Sequence, residues 1–284
     1  MKKIQMFFLI LLTASIFYSC SDTATNVIND IISNKITAKD RLDSAFAQAQ
    51  RKYSSSVKLV MIFGKNVLFD GTDAGKTDIT GLTILSDPNQ IGAWLYIFKK
   101  PGVADSLAVY TPNPLPGARD CIELTSIFNL STLLNLIADT SAKNIISGAL
   151  SMINNTNFFI STSSSEIVNS DTAYGYSYSS NPIIKFNSLF FPSASTSNGQ
   201  SFFVSGTNKT VNMFLIPALG TLNLPAYITS LLNFPNDLWV VNYKRTNGSV
   251  SENFIGATVV KSGQSMRINI PPVFESKAIN LSKY

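Results

Sequence analysis

Apolar positions are not spread evenly along the chain. An almost unbroken apolar run covers residues 4–18, led by Lys2 and Lys3. That run is shorter than the roughly 20 residues a membrane-spanning helix needs and has the flanks of a secretory leader, so residues 1–19 are expected to target the chain and then be removed. Residues 20–36 are polar, with only a weak apolar pattern at Val27, Ile28, Ile31 and Ile32, and are expected to act as a tether. From there Leu42, Ala45, Phe46 and Ala49 share one face at helical spacing, which predicts a helix capped by Thr37 and running to about Tyr53. Strand-like runs follow at 57–63, 66–70, 79–85, 93–99 and 107–110, and after the Pro-rich break at 112–117 a short strand ends at Leu124. Residues 131–137 and 141–153 carry a helical stripe through Leu134, Ile137, Ile145, Ala149 and Ile153. Ser-rich and Asn-rich turns then separate short strands up to Ile216. A small helix at 226–232 and strands at 238–244, 253–260 and 266–270 complete the pattern, with Pro271 and Pro272 ending the last.

These elements predict an α+β fold, antiparallel sheets with a few packed helices, arranged as two related units over 37–128 and 129–284. The relation rests on two strands. Trp94-Leu95-Tyr96-Ile97-Phe98-Lys99-Lys100 and Leu238-Trp239-Val240-Val241-Asn242-Tyr243-Lys244-Arg245 each place a Trp four residues before an aromatic and two cations. The second is followed by a turn at Asn247-Gly248 and by Phe254-Ile255-Gly256-Ala257-Thr258-Val259-Val260. Together they resemble the PepSY-type repeat, a helix on an antiparallel sheet whose strands often carry a Trp and an Asp-Ala; Gly256 stands where the Asp would be. The resemblance implies a role in binding partner proteins of the cell envelope and names no residue for it.

The leader stops at Phe17-Tyr18-Ser19-Cys20, which resembles the lipobox of bacterial lipoproteins. It implies cleavage before Cys20 and acylation of its thiol, a lipid anchor in the membrane, and, with Ser21 rather than Asp next, passage to the outer membrane of a two-membrane bacterium. Cys121 is then the lone free thiol of the mature chain, and its apolar-flanked position predicts a buried, inert one. The mature chain of about 265 residues can bury a large core. Only 14% of the residues are charged, so Ser, Thr and Asn must supply the polar surface. The net charge of +5 falls by two with the leader and the remaining cations are scattered, which argues against a nucleic-acid partner.

The chain has no histidine, which removes Ser-His and Cys-His nucleophile pairs and imidazole metal ligands together. Gly71-Thr72-Asp73-Ala74-Gly75-Lys76-Thr77 has three residues between its glycines where a phosphate loop needs four. Ser55-Ser56-Val57-Lys58, Ser251-Glu252-Asn253 and Lys261-Ser262-Gly263 echo the penicillin-binding serine enzymes, but Ser55 precedes a strand rather than opening a helix. Asp70, Asp73 and Asp78 lack the order of a calcium loop. Asp120 and Glu123 are offset by three, which on a strand sends them to opposite faces. No catalytic residue, cofactor or metal site is therefore assigned. Trp94, Tyr96 and Phe98 read as core, because Leu95 and Ile97 make the other face of their strand apolar too. Tyr174, Tyr176 and Tyr178 alternate with small residues and are the candidate binding surface, read either as an exposed strand ladder for a glycan or peptide or as ordinary sheet packing. The expected function is a non-catalytic envelope lipoprotein that binds a protein, peptide or glycan, with a carboxylate-dependent hydrolase or a structural assembly factor as alternatives.

Overall fold

The computed structural model describes residues 35–79, 92–103, 107–115, 117–126, 159–182, 184–185, 196–218 and 237–261. The expected leader, Cys20, the helices at 131–137, 141–153 and 226–232, and the strand at 266–270 lie outside the described residues. The fold is α+β. Its frame is an eight-stranded antiparallel sheet in the order β6-β5-β4-β2-β8-β9-β10-β7. These strands are β2 (Lys58–Lys65), β4 (Ala93–Lys99), β5 (Leu107–Pro112), β6 (Cys121–Glu123), β7 (Ile184–Lys185), β8 (Thr207–Ile216), β9 (Leu238–Asn247) and β10 (Val250–Val259). A separate two-stranded ribbon pairs β1 (Lys35–Ile36) with β3 (Thr77–Asp78). Three described helices, α1 (Leu42–Lys52), α2 (Ser170–Ser179) and α3 (Gly199–Phe203), contribute to a core on one sheet face.

The central strands form where continuous apolar runs can be buried on both sides. Every residue of β4 is buried, and so are Leu238 to Tyr243 of β9. Several expected elements come out differently. Residues 66–70 are not a strand: Asn66 takes φ 48, which breaks the pleat, and Val67 N–H crosses to the Val211 carbonyl at 2.8 Å. Of the expected strand at 79–85 only Ile79 is described, and the pairing falls earlier, at Thr77 and Asp78. Thr37 does not cap α1, which begins at Leu42; its backbone N–H instead donates to the Asp40 carboxylate at 2.7 Å. The expected tether at 20–36 ends inside the fold, since Lys35 and Ile36 are strand residues. Among the described residues from 159 to Ile216 the chain carries α2, the two-residue strand β7, α3 and the ten-residue strand β8.

The sheet has an internal two-fold relation. At its centre Phe63 pairs with Phe214, flanked by Ile62 with Leu215 and Gly64 with Met213, and the two rings stack at 4.9 Å. Rotation about this pair exchanges Gly64 with Leu215, and hence their cross-strand partners Trp94 and Trp239. It likewise exchanges Phe98 with Tyr243, four residues on in each strand. Each indole N–H donates at 2.9 Å to a carbonyl just before a helix, Trp94 to Ile36 and Trp239 to Val168. Counting from those carbonyls, Leu42, Phe46 and Ala47 on the α1 side match Tyr174, Tyr178 and Ser179 of α2. The two indoles meet edge to face at 6.3 Å, so the halves share one core. Gly64 makes this possible on its side, because a Cβ there would lie 2.2 Å from the Trp94 ring.

Candidate functional site

The tyrosines at 174, 176 and 178 do not form a strand ladder. Asn169 accepts from Ser170 N–H and starts α2, whose Ala173, Tyr174 and Ser177 are buried. Three residues spaced by two then point in different directions. Tyr174 is only 2% exposed, its hydroxyl donates to the Phe69 carbonyl at 3.0 Å, and its ring stacks on Tyr178 at 5.1 Å. Burial raises the Tyr174 hydroxyl's pKa far above the ordinary phenol value. Tyr176 and Tyr178 are half-buried. The trio therefore lies on a helix with one buried and two partly exposed members, rather than on an exposed strand.

Other motif residues have evident structural partners. Cys121 is 6% exposed beside the Arg41 carbonyl, and burial pushes its thiol up to about 12. Asp73 sits between Lys35 at 2.8 Å and Lys76 at 3.2 Å, and hydrogen bonds from the two lysines hold its carboxyl below the usual range. Gly71 and Gly75, with φ 65 and 83, bracket a short 3-10 turn. Asp120 accepts from the Asn113 amide at 2.9 Å. Glu123 accepts from Lys52 and Tyr53; burial opposes its ionisation, but these hydrogen bonds prevail and lower its pKa. Lys58 opens β2, so Ser55 and Lys58 do not share a helix. Among the described residues no three Asp, Glu, Cys or His side chains come together, and no helix is long and apolar enough to cross a membrane.

What the structure does form is a groove of about 840 Å³ between α1 and the segment 159–164, over the start of β2. Its helical wall is Asp43, Phe46, Ala47 and Gln50, which recur at the spacing of one helix face. Leu59 and Ile160 lie at the bottom, joined by the Ile160 N–H bond to the Leu59 carbonyl at 2.9 Å. Phe159 gives an aromatic surface with the Lys58 ammonium 5.4 Å above its ring. Ser161 to Ser164 supply the polar wall.

That wall is held from behind by Asp237, which is 1% exposed. Its Oδ2 accepts from the backbone N–H and hydroxyl of both Ser161 and Thr162, at 2.7 to 3.0 Å, and its Oδ1 accepts from Ala218 N–H at 3.0 Å. Five neutral donors thus replace the water this carboxylate gives up on burial. Since the two hydroxyl protons are committed to Asp237, Ser161 Oγ and Thr162 Oγ1 retain acceptor capacity only. The sequence offered one cue to Asp237, an acid directly ahead of an apolar strand. It offered none to the groove, whose two walls lie more than a hundred residues apart. Comparison of the chain with family models, with curated proteins and with solved structures finds no match.

Proposed function

We propose that the chain is an envelope lipoprotein, anchored through acylated Cys20 and displaying a non-catalytic module that binds a protein, peptide or glycan. The observation that carries the binding part is the open groove beside α1, where aromatic and aliphatic surface lies at the bottom and hydrogen-bonding groups line the rim. A concave, largely apolar site with a few fixed polar groups is the usual form of a recognition site. Among the described residues the groove's lining contains a single carboxylate, Asp43, whereas glycoside hydrolysis uses a pair about 5 to 10 Å apart; this favours recognition over the hydrolase alternative. The anchor rests on the leader and on Cys20 at its end. A helix over an antiparallel sheet in each half is what PepSY-type repeats would supply, and it agrees with a role on partner proteins.

Two measurements test the reading. Mass spectrometry of the membrane fraction should find a chain beginning at residue 20 with added acyl mass, and Cys20→Ser should release it from the membrane. A photo-crosslinking amino acid at Gln50, exposed in the groove, should give a discrete adduct in cells that the same probe at exposed Leu115 does not. A chain that begins elsewhere sinks the anchor, and adducts indifferent to probe position sink the groove.

A further inference from the structure

The internal two-fold relation allows the groove to be compared with its counterpart in the other half. In the first half five residues, 53–57, join α1 to β2, whereas in the second half the connection from α2 to β8 contains α3. Phe203 of α3 packs edge to face on Tyr243 at 5.4 Å and on Phe69 at 5.2 Å. The Lys209 ammonium lies 5.7 Å above the Phe203 ring and donates to the Phe203 carbonyl at 2.6 Å. Asn198, the N-cap of α3, reaches the Ser179 carbonyl at 3.4 Å.

Each of these surroundings has a match in the first half. Tyr243 corresponds to Phe98, which Phe46 covers edge to face at 5.1 Å. Ser179 corresponds to Ala47, which lines the groove. Phe69 follows Val67, whose N–H bonds the Val211 carbonyl, just as the groove wall follows Ile160, whose N–H bonds the Leu59 carbonyl. Lys209 corresponds to Lys58 by the same rotation, each five residues ahead of its central phenylalanine; Lys209 lies two residues ahead of its acceptor and Lys58 one, the strands being irregular here. The Lys58 ammonium keeps a place above an aromatic ring but donates to no oxygen among the described residues. In the first half Phe46 takes the place over Phe98 that Phe203 takes over Tyr243, and among the described residues no short aromatic helix lies beside α1 as α3 lies beside α2.

We infer that the groove beside α1 takes a short helical turn of a partner polypeptide carrying an aromatic side chain, seated as α3 is seated in the other half. This rests on the reading of the groove as a recognition site and names the occupant. The aromatic ring enters beside Phe46 and Phe159, and Lys58 takes the carbonyl at the end of the bound turn, as Lys209 takes that of Phe203. The hydroxyls of Ser161 and Thr162 accept N–H groups from the ligand. Helix-in-groove binding of this kind is anchored by one or two aromatic residues.

The probe is a fluorescein-labelled synthetic peptide copying residues 196–206, titrated against the full-length protein in detergent and read by fluorescence anisotropy. Saturable binding is expected, weakened about tenfold or more when both peptide phenylalanines are alanine. Ala47→Trp, which fills the groove from an exposed helix position and leaves the sheet side of α1 untouched, should weaken binding by about tenfold or more as well, with an unchanged melting temperature. Lys58→Gln should weaken it about threefold. Absence of saturable binding, or binding indifferent to Ala47→Trp, overturns the inference. If the peptide fails while the crosslinker at Gln50 still captures a ligand that Ala47→Trp excludes, the recognition site stands and its occupant is of another class. If that adduct is a dimer of the chain, the groove belongs to a second copy and the inference likewise falls.

Discussion

Asp237 illustrates how a buried carboxylate can be held by neutral donors, with no cation against it among the described residues. Its two oxygens accept five hydrogen bonds from neutral donors, four of them from Ser161 and Thr162, so one side chain fixes the groove wall to the start of β9. Asp237→Asn places an NH2 group against donors that need an acceptor, and the stranded N–H groups are expected to cost about 2 kcal/mol or more, measured by urea unfolding. The same variant should weaken occupancy of the groove, because the wall loses its tie. Cys121 is the opposite case, a group kept neutral by burial. With the thiol at about 12 in the fold against 9.0 for the free group, the folded state holds the proton more tightly. Its contribution to stability is therefore complete below about pH 9 and is lost as the pH rises toward about 12. A thiol reagent at pH 8 should leave Cys121 of the native protein unmodified and label it fully in denaturant; rapid labelling of Cys121 in the native protein would refute the buried assignment. The buried state of Cys121 was read from a short strand although Asp120 stands on one side of it and Ile122 on the other, whereas Asp237 escaped reading because its donors come from a distant segment.

At the scale of elements, the strands were the most legible part. β2, β4 and β9 announce themselves because burial on both faces calls for nearly continuous apolar runs, with Lys99 closing β4 and Asn242 inside β9 as buried polar exceptions. The pattern misleads at α2 for a physical reason: Tyr-x-Tyr-x-Tyr over small residues has the period of a strand, while the helix is decided by the Asn169 cap and by docking on Tyr243. The hydrophobic pattern of α1 placed its buried face well, yet the helix starts at Leu42 rather than Thr37 because Asp40 draws the Thr37 amide into a turn. Two glycines separate packing from propensity in this region. Gly175 lies inside α2 with nothing within 4 Å of the place a Cβ would occupy, so Gly175→Ala should stabilise by about 0.5 to 1 kcal/mol through helix propensity. Gly199 opens α3 where a Cβ would stand 2.4 Å from the Tyr243 ring, so Gly199→Ala should destabilise by about 1 to 3 kcal/mol as α3 is pushed off the sheet. Thermal unfolding of the two variants side by side tests both signs, and a stabilising Gly199→Ala would show that α3 is not seated as described.

At the scale of the molecule, the resemblance between two strands with a shared Trp pattern proves to be a relation between two halves of one sheet. The sequence showed the likeness but could not show the axis, which lies on Phe63 and Phe214, two residues with no motif around them. Nor could it show that the indoles touch, since that depends on β2 pairing with β8. This arrangement makes the halves interdependent. The β2 to β8 junction is held by only three residue pairs of ladder, so its cohesion comes chiefly from the stacked phenylalanines and from the Trp94 to Trp239 contact. The two tryptophans are the only ones in the chain, so each single substitution leaves a fluorophore in one half. Trp94→Phe and Trp239→Phe each remove an indole donor from a carbonyl and part of the shared core, and each should cost about 1 to 3 kcal/mol. Because the rings are in contact, the double variant should cost measurably less or more than the sum. In either single variant, urea unfolding followed by the remaining tryptophan and by far-ultraviolet circular dichroism should give coincident midpoints, the signature of one cooperative unit. If the tryptophan left in one half melts apart from the bulk signal, the halves are separable units, and the groove would then be a property of the first half alone rather than of a shared sheet.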